Sequence, residues 1–129
     1  MDAMQATAEG IRLIRAREWY EAHEVMEVPW RHASGDTKRA MQAIIQASVS
    51  LEHLRRGNPR GAWGQWNKAR AKMDVLPAEI LGVQLGAWRD ALADFYDRID
   101  INERSRRAVA RLPMDGLPPL PAVEDWPLP

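Results

Sequence analysis

The sequence predicts an all-α protein, namely a small antiparallel bundle of four to five helices with a proline-rich, irregular C-terminal tail. Apolar residues recur at steps of three and four through successive segments, which is the period of an amphipathic helix. Residues that begin and end helices lie between these segments. A chain of 129 residues fits a single hydrophobic core. We therefore assign residues 1–100 to the bundle and residues 101–129 to a basic segment and tail, packed on the bundle or extending from it.

The first helix is predicted from Asp2 to about Ala16. Its apolar stripe consists of Met4, Ala8, Ile11 and Ile14. A second helix follows in "REWYEAHEVMEV", with an inner face made of Trp19, Ala22, Val25 and Met26. Pro29 is predicted to end or kink this helix, because proline lacks the backbone N–H and crowds the preceding turn.

The third helix follows the turn "RHASGDTK", where Asp36 or Thr37 is predicted to be the N-cap. Its inner face consists of Met41, Ile44, Ile45, Ser48 and Val49. Gly57 is predicted to end it, since glycine tolerates a left-handed C-terminal cap. Asn58 then caps the next helix and Pro59 takes its first position, where a missing N–H costs nothing. The structural turn motif of this region comprises Gly57, Asn58, Pro59, Gly61 and Ala62.

The fourth and fifth helices each carry one apolar seam. The fourth has Ala62, Trp66, Ala69, Met73 and Leu76 on its seam and is predicted to pack antiparallel to the third. The fifth has Leu85, Trp88, Leu92, Phe95 and Ile99. A weak echo at an offset of forty residues pairs Ala22 with Ala62 and Met26 with Trp66, which we interpret as shared helical-hairpin geometry and not as a repeat array.

In the tail, Trp126 is predicted to pin the segment to the bundle, with docking of a peptide partner as the alternative.

The amino-acid composition limits the kinds of partner and the cellular context that we expect for this chain. Eighteen basic residues balance eighteen acidic ones, so no overall field draws the chain to nucleic acid or to an anionic membrane. The basic run from Arg104 to Arg107 lacks the interleaved aromatic residues of a nucleic-acid site, which disfavours that function. The absence of cysteine excludes thiol chemistry and agrees with a reducing compartment. No segment is long and apolar enough to span a bilayer, so we expect a soluble cytoplasmic protein.

The candidate site is a polar strip in "WYEAHEVMEVPWR". His23 and Glu27 lie one helical turn apart, so both can reach a shared ligand, and Trp30 follows on the same side. On the third helix, a second polar strip consists of Gln42, Gln46 and His53, and Glu52 lies beside it as a further pocket residue. We expect the two strips to face each other across the boundary between the second and third helices, because both flank apolar seams that share a core.

Two hypotheses follow from this strip. Imidazole and carboxylate groups are ligands for zinc, manganese or iron, and His23, Glu27 and His53 are the candidate set. The alternative is a structural hydrogen-bond network that fixes helix register in a scaffold or protein-interaction module. Glu52, close to the apolar stripe, requires a partner or a raised pKa, and an arginine is the expected partner. The chain lacks a phosphate loop, a nucleophile elbow and the second histidine of a zinc-protease motif. If it is an enzyme, a metal-assisted hydrolase is therefore the remaining class, and a small ligand, a protein partner and a homo-oligomer all stay open.

The stretches "EAHEVMEVPW" and "QAIIQASVSLEHLRRGNPRGAWGQWNKA" resemble the domain-of-unknown-function family number 309. The family pattern His-x-x-x-Glu-x-x-Trp/Tyr is matched by His23, Glu27 and Trp30, and "HLRRGNPRGA" is similar to its second recurrent segment. The resemblance runs from about Glu9 to Met73. It implies a small helical bundle of bacteria and archaea and suggests that the His/Glu motif binds metal, and it implies no established activity. The chain departs from the pattern at Pro29 and near Gln84.

Overall fold

The computed structural model describes residues 1–102, and in this range it consists of five helices and no β-sheet, which confirms the all-α prediction. The helices are α1 (Ala3–Arg15), α2 (Trp19–His32), α3 (Gly35–Arg55), α4 (Pro59–Asp74) and α5 (Leu85–Arg98). The most extensive packing joins α3 to α4, followed by α1 to α2 and α2 to α3. Within the described range, none of these helices has the length and apolarity needed to cross a membrane. Residues 103–129, with the basic run and Trp126, lie outside the described range.

Helix α1 begins at a reciprocal cap. The carboxylate of Asp2 accepts a hydrogen bond from the N–H of Gln5 at 2.8 Å, and the Gln5 side chain accepts one from the N–H of Asp2 at 3.0 Å. These two bonds satisfy donors that the first turn of a helix leaves free. The prediction that Met4 belongs to the buried stripe was wrong, because its side chain is 46% exposed. Met4 lies in the first turn, where Ala3 packs against the core, and the fully buried residues of α1 begin at Ala6.

Helix α2 continues through Pro29 to His32, so it does not end at this proline, and of the two predicted outcomes the kink alone stays a prediction. A proline in a helix removes one hydrogen bond and crowds the carbonyl one turn earlier. Here only the last turn lies beyond it, so a single donor is missing near an end that is already weakly bonded. Trp30, in that last turn, packs against the core and carries the ammonium of Lys38 over its ring at 5.0 Å.

Helix α3 begins earlier than predicted. Its N-cap is Ser34 and its first residue is Gly35, with φ of +60°, so the prediction of Asp36 or Thr37 as the cap was wrong. Asp36 already lies in the first turn, where its carboxylate pairs with Arg39 at 3.1 Å. A carboxylate at this position is favourable because the helix dipole is positive at its N-terminus.

The turn between α3 and α4 was predicted correctly in detail. Gly57 adopts φ of +73° directly after the C-cap of α3, a conformation that costs residues with a Cβ more than it costs glycine. The side chain of Asn58 accepts a hydrogen bond from the N–H of Gly61 at 3.0 Å, and Pro59 is the first residue of α4. The hydroxyl of Ser50 on α3 donates to the carbonyl of Ala62 on α4, and the ammonium of Lys72 on α4 donates to the side chain of Gln46 on α3. The helices therefore run antiparallel, as predicted.

The hairpin α1–α2 has the same turn geometry as α3–α4. Arg17 has φ of +62° at the position that Gly57 occupies in the second hairpin. In each turn the N–H of the next residue donates to the carbonyl five residues back, from Glu18 to Leu13 and from Asn58 to His53. This is the pattern of a Schellman C-cap. The forty-residue echo thus corresponds to two hairpins of the same type, as interpreted from the sequence.

Helix α5 packs on α3 and α4 mainly through aromatic residues. Leu85, Trp88, Leu92 and Phe95 are buried as predicted, whereas Ile99 is only partly buried. The sequence pattern missed Tyr96, which is 1% exposed. Its ring stacks on Trp66 with centroids 5.1 Å apart and an interplanar angle of 16°. Its hydroxyl is hydrogen-bonded to Ser50, which donates to the carbonyl of Ala62 at 2.6 Å. This chain of contacts connects α3, α4 and α5.

We expect Asn58→Ala to lower the free energy of unfolding by about 1 kcal/mol, within a range of roughly 0.5 to 2 kcal/mol, because the change leaves the N–H of Gly61 without its acceptor. Urea denaturation followed by circular dichroism measures the effect. Asn67→Ala is the matched control: Asn67 lies on the exposed face of the same helix, and within residues 1–102 its side chain bonds only Arg70. Equal denaturation midpoints for the two variants would show that Asn58 does not stabilise the turn.

Candidate functional site

A cavity of about 240 Å³ lies between α2 and α3 at the end of the bundle where the turn after α1 meets the end of α3. Its walls are formed by Trp19, Tyr20, His23, Val49, Glu52, His53 and Arg56. The residues from α3 and its cap follow the spacing i, i+3, i+4, i+7, which places them on one face of the helix. The cavity therefore arises where the polar edge of one helix meets the aromatic start of another.

The tautomer of His53 follows from its hydrogen bonds. Asn58 uses its carbonyl oxygen to accept from Gly61, so its amide nitrogen faces Nδ1 of His53 at 3.2 Å. An amide NH₂ only donates, so Nδ1 is the acceptor and the ring proton lies on Nε2. His53 thus presents Nε2–H as its remaining hydrogen-bonding group. Gly61 permits this arrangement, because a Cβ at this position would lie 2.8 Å from Nδ1 of His53.

The neutral state of His53 is also favoured by its surroundings. Burial, and then the positive charge of Arg56, lower the pKa of His53 below its ordinary value of 6.5, and the nearby Glu52 offsets this only in part. A protonated ring would also turn Nδ1 into a donor facing the donor of Asn58. At neutral pH the imidazole is therefore uncharged.

Glu52 remains a carboxylate although it lies in the cavity wall. Arg55 donates to it at 2.9 and 2.5 Å, and Arg56 donates at 2.9 Å. The hydrogen bonds from Arg55, followed by those from Arg56, hold the pKa of Glu52 below its ordinary value despite the opposing effect of burial. The expectation of an arginine partner is thus confirmed, with two arginines in place of one. With Glu52 and Arg56 as its charged lining residues, the cavity carries no net formal charge.

His23 forms the opposite wall on α2. Its Nε2 lies 3.8 Å from a carboxylate oxygen of Glu27, within ion-pair range but too far for a hydrogen bond. Glu27 instead accepts a hydrogen bond from Arg31 at 2.8 Å. The ring of Tyr20 approaches His23 edge-on, with centroids 6.4 Å apart. Among the described residues, the His23 ring has no hydrogen-bond partner, so its nitrogens remain available to a ligand.

The structure brings together only part of the predicted polar strips. His23, Glu52 and His53 line the cavity, whereas Glu27, Trp30, Gln42 and Gln46 do not. Gln46 faces α4, where it accepts a hydrogen bond from Lys72 at 2.9 Å. Gln46 precedes His53 by seven residues, almost two turns, but the surface of α3 near Gln46 already packs against α4. The predicted pairing of His23 and Glu27 with Gln46 and His53 is therefore not formed in the described part of the chain, whereas the alternative, a pairing of His23 with Glu27, is present at ion-pair distance.

The predicted metal ligand set of His23, Glu27 and His53 is likewise not assembled. Within residues 1–102, no group of three or more histidine, aspartate or glutamate side chains is close enough together to hold a metal ion. The physical reason is that two of the three side chains already have other hydrogen-bond partners. Glu27 accepts from Arg31, and Nδ1 of His53 accepts from Asn58. The proximity of His23 and Glu27 on one helix was predicted correctly, but the third ligand was not.

Sequence reasoning missed the aromatic and apolar walls of the cavity. Trp19 had been assigned to the inner face of α2, and Tyr20, Val49 and Arg56 had not been assigned to a site. The signal was present, since Val49 and Arg56 lie one turn to either side of the pair Glu52 and His53 on the same helix face. The indole N–H of Trp19, in the cavity wall, is buried without a hydrogen-bond partner.

We expect the imidazole of His53 to titrate with a midpoint below 6.5, since its pKa is lowered in the folded protein. A base with a lowered pKa contributes stability that is present above pH 6.5 and is lost as the pH falls through the folded-state value. Nuclear magnetic resonance of the ring protons between pH 4.5 and 8 measures the midpoint. Arg56→Gln should raise it, because the variant removes a nearby positive charge. A midpoint above 6.5 in the unaltered protein would show that burial and Arg56 do not lower the pKa of His53.

Residues 7–65 match the family model described as Domain of unknown function (DUF309), so the resemblance seen in the sequence is confirmed. The matched range covers α2, α3 and the turn into α4, and thus the whole cavity wall. An uncharacterized protein of Aquifex aeolicus (strain VF5) is 27% identical over 78 residues, which is 60% of this chain and 23% of that protein. The chain therefore spans only about a quarter of the length of this relative. No solved structure matches the chain.

Proposed function

We propose that this chain, whose residues 7–65 belong to the DUF309 family, binds a small uncharged heteroaromatic molecule in the cavity between α2 and α3. The observation that carries the proposal is the convergence of two imidazoles from different helices, His23 and His53, on one cavity with aromatic walls. Ligand sites are typically apolar clefts with a few polar groups that fix orientation, often between the helices of a bundle. The cavity has this composition.

The size of the cavity limits the ligand to one or two rings. A cavity of about 150 Å³ is sufficient for benzene, and drug-sized ligands occupy about 300 Å³ or more. The value of 240 Å³ lies between these limits. The ring of Tyr20 provides flat apolar surface, on which planar rings pack in offset or edge-on geometry, and the buried Trp19 lies behind it in the cavity wall.

The polar groups specify the chemistry of the ligand. Nε2–H of His53 is a donor, so the ligand should carry an acceptor in its ring plane. The ring of His23 in its neutral form provides one acceptor and one donor. Glu52 is already neutralised by two arginines, so a charged ligand would gain little here and would lose its hydration.

Equilibrium dialysis of the full chain against quinoline and naphthalene tests the proposal, because the two probes share their shape and only quinoline has a ring acceptor. We expect saturable binding of quinoline with a Kd of about 1 mM or tighter, which ten ring atoms reach at roughly 0.4 kcal/mol each. Naphthalene should bind about 3- to 10-fold more weakly, which corresponds to one hydrogen bond. His53→Leu should remove this difference.

Two results would refute the proposal. If neither probe shows saturable binding, the polar strip serves the helical scaffold and not a ligand. If zinc, manganese or iron(II) binds with 1:1 stoichiometry and His23→Ala abolishes that binding, the pair of histidines belongs to a metal site. Each titration uses protein purified without a histidine tag.

A further inference from the structure

The side chain of Asn58, in the turn between α3 and α4, contacts the cavity residue His53 from outside the cavity. Its amide nitrogen lies 3.2 Å from Nδ1 of His53 and donates to this atom, because its carbonyl oxygen accepts from the N–H of Gly61 at 3.0 Å. His53 is a wall residue of the cavity and Asn58 is not. Nε2–H is therefore the hydrogen-bonding group that His53 has left for a ligand.

We infer that Asn58 determines the hydrogen-bonding specificity of the cavity, because it holds His53 in the tautomer that donates to a ligand. Asn58 is thus a positioning residue, which acts through the imidazole and touches no ligand itself. The inference rests on the proposed function and deepens it. It assigns the requirement for an acceptor in the ligand to a side chain outside the cavity.

The N-cap role of Asn58 does not by itself call for asparagine. Aspartate and serine cap a helix about as well as asparagine does, and either could accept from the N–H of Gly61. A carboxylate only accepts, and serine has a single hydroxyl on a shorter side chain. Among these three side chains, the amide alone carries an acceptor on one atom and an NH₂ donor on another. Both are used here, by Gly61 and by His53.

Gly61 leaves the space that this contact requires. Its φ is not in the positive range, so the backbone of α4 does not call for glycine at this position. Glycine inside a helix is less favourable than alanine, since it loses more conformational freedom on folding. A Cβ here would lie 2.6 Å from the amide nitrogen of Asn58 and 2.8 Å from Nδ1 of His53. Any larger residue would therefore displace the donor or the acceptor.

The other polar groups of the cavity do not compete for Nδ1 of His53. The carboxylate of Glu52 accepts from two arginines and forms no hydrogen bond with the imidazole within residues 1–102. The ring of His23 has no hydrogen-bond partner in that range, so no hydrogen bond fixes its tautomer. The cavity thus combines one imidazole with a fixed donor and one that can adapt to a donor or an acceptor. The fixed donor decides which of two ligands of similar shape binds more tightly.

Asn58→Asp tests the inference with two uncharged bicyclic probes, quinoline, which has a ring acceptor, and indole, which has an N–H donor. The introduced carboxylate still accepts from Gly61, but it cannot donate to Nδ1 of His53. The ring proton then moves to Nδ1, and Nε2 becomes an acceptor. Quinoline loses one hydrogen bond and indole gains one. In equilibrium dialysis at about pH 9, where imidazoles are uncharged, we expect the ratio of the Kd for quinoline to the Kd for indole to rise about 10-fold or more.

Three controls separate this effect from changes in charge, shape and folding. Asn67→Asp places the same carboxylate on the exposed face of α4 and should leave the ratio unchanged. Naphthalene has neither a donor nor an acceptor, so its Kd should be equal in the unaltered chain and in Asn58→Asp. The urea midpoint of Asn58→Asp should change little, because the cap is retained.

Nitrogen-15 spectra of the imidazole rings, recorded without any probe, report the tautomer directly. The proton of His53 should lie on Nε2 in the unaltered chain and on Nδ1 in Asn58→Asp. A proton on Nδ1 in the unaltered chain would overturn the inference, and this spectrum requires neither a variant nor a ligand.

Two results of the dialysis would also overturn the inference. An unchanged ratio in Asn58→Asp, with quinoline still bound, would show that Asn58 does not set the specificity and would leave the proposed function intact. An equal rise in Asn67→Asp would attribute the change to the added charge. Absence of binding of both probes to the unaltered chain would refute the proposed function, and the inference about Asn58 with it.

Discussion

Replacing Tyr96 with alanine is expected to lower the free energy of unfolding by about 3 to 5 kcal/mol, the range for removing a large aromatic side chain from a core. Tyr96 is 1% exposed, stacks on Trp66 and contacts Phe95 edge-on. Burial raises the pKa of the Tyr96 hydroxyl above its ordinary value, so the group remains protonated and donates to Ser50. Ser50 in turn donates to the carbonyl of Ala62. Loss of the ring therefore weakens the contact of α5 with both α3 and α4.

One further variant separates the contribution of the Tyr96 ring to stability from that of its hydroxyl, and a second variant is the control. Tyr96→Phe keeps the stacking on Trp66 and should cost only about 0.5 to 1.5 kcal/mol, since one hydrogen bond is lost. Tyr20→Ala is the control for the residue type, because Tyr20 is 55% exposed and its replacement should change stability by less than about 0.5 kcal/mol. Urea denaturation gives all three values. A loss below about 1 kcal/mol for Tyr96→Ala would show that α5 is not held through this residue.

The second large effect is expected from Val49→Trp, which should abolish quinoline binding while the helix content stays unchanged. Val49 is partly buried and lines the cavity from α3. A bicyclic ring at this position projects into the 240 Å³ of space and takes the place of the ligand. The effect should exceed that of His53→Leu, which removes only one hydrogen bond and leaves the space open.

Val75→Trp is the matched control, since Val75 is 78% exposed and lies beyond α4, away from the cavity. It should leave the affinity for quinoline unchanged. Equilibrium dialysis and far-ultraviolet circular dichroism on both variants provide the comparison. Retained quinoline binding in Val49→Trp would place the probe elsewhere on the protein.

The features that were predictable from the sequence are those that neighbouring residues determine. Gly57, Asn58 and Pro59 specify a turn through φ, side-chain capping and a missing N–H, and none of these depends on distant contacts. Pro29 shows the opposite case. The residue type disfavours a helix interior, but whether one more turn follows depends on how Trp30 packs. Ser34 was missed because Gly35, a turn residue by type, is already the first residue of the helix, so the cap lies two residues before Asp36.

For a similar reason, the sequence predicted which site residues share a helix face but not which of them point into the cavity. Spacing shows that His23 and Glu27 share a helix face, and that Glu52 and His53 adjoin it on another helix. Spacing does not show how far α3 is rotated about its axis when α2 and α4 pack against it. One residue corresponds to about 100° of rotation, so Gln46 faces Lys72 on α4 while His53 faces the cavity. Tyr96 was missed because α5 buries a wider surface than a single seam.

The histidines themselves offer the most direct test that the cavity binds a ligand. The chain has three: His23 and His53 line the cavity, and His32 lines a groove at the other end of the bundle. Long-range proton–nitrogen correlation spectra resolve the ring nitrogens of all three during a quinoline titration at pH 7.5. If quinoline binds in the cavity, we expect saturable shifts at His23 and at Nε2 of His53, with His32 unchanged. Shifts at His32 alone, or equal small shifts at all three rings, would contradict binding in the cavity.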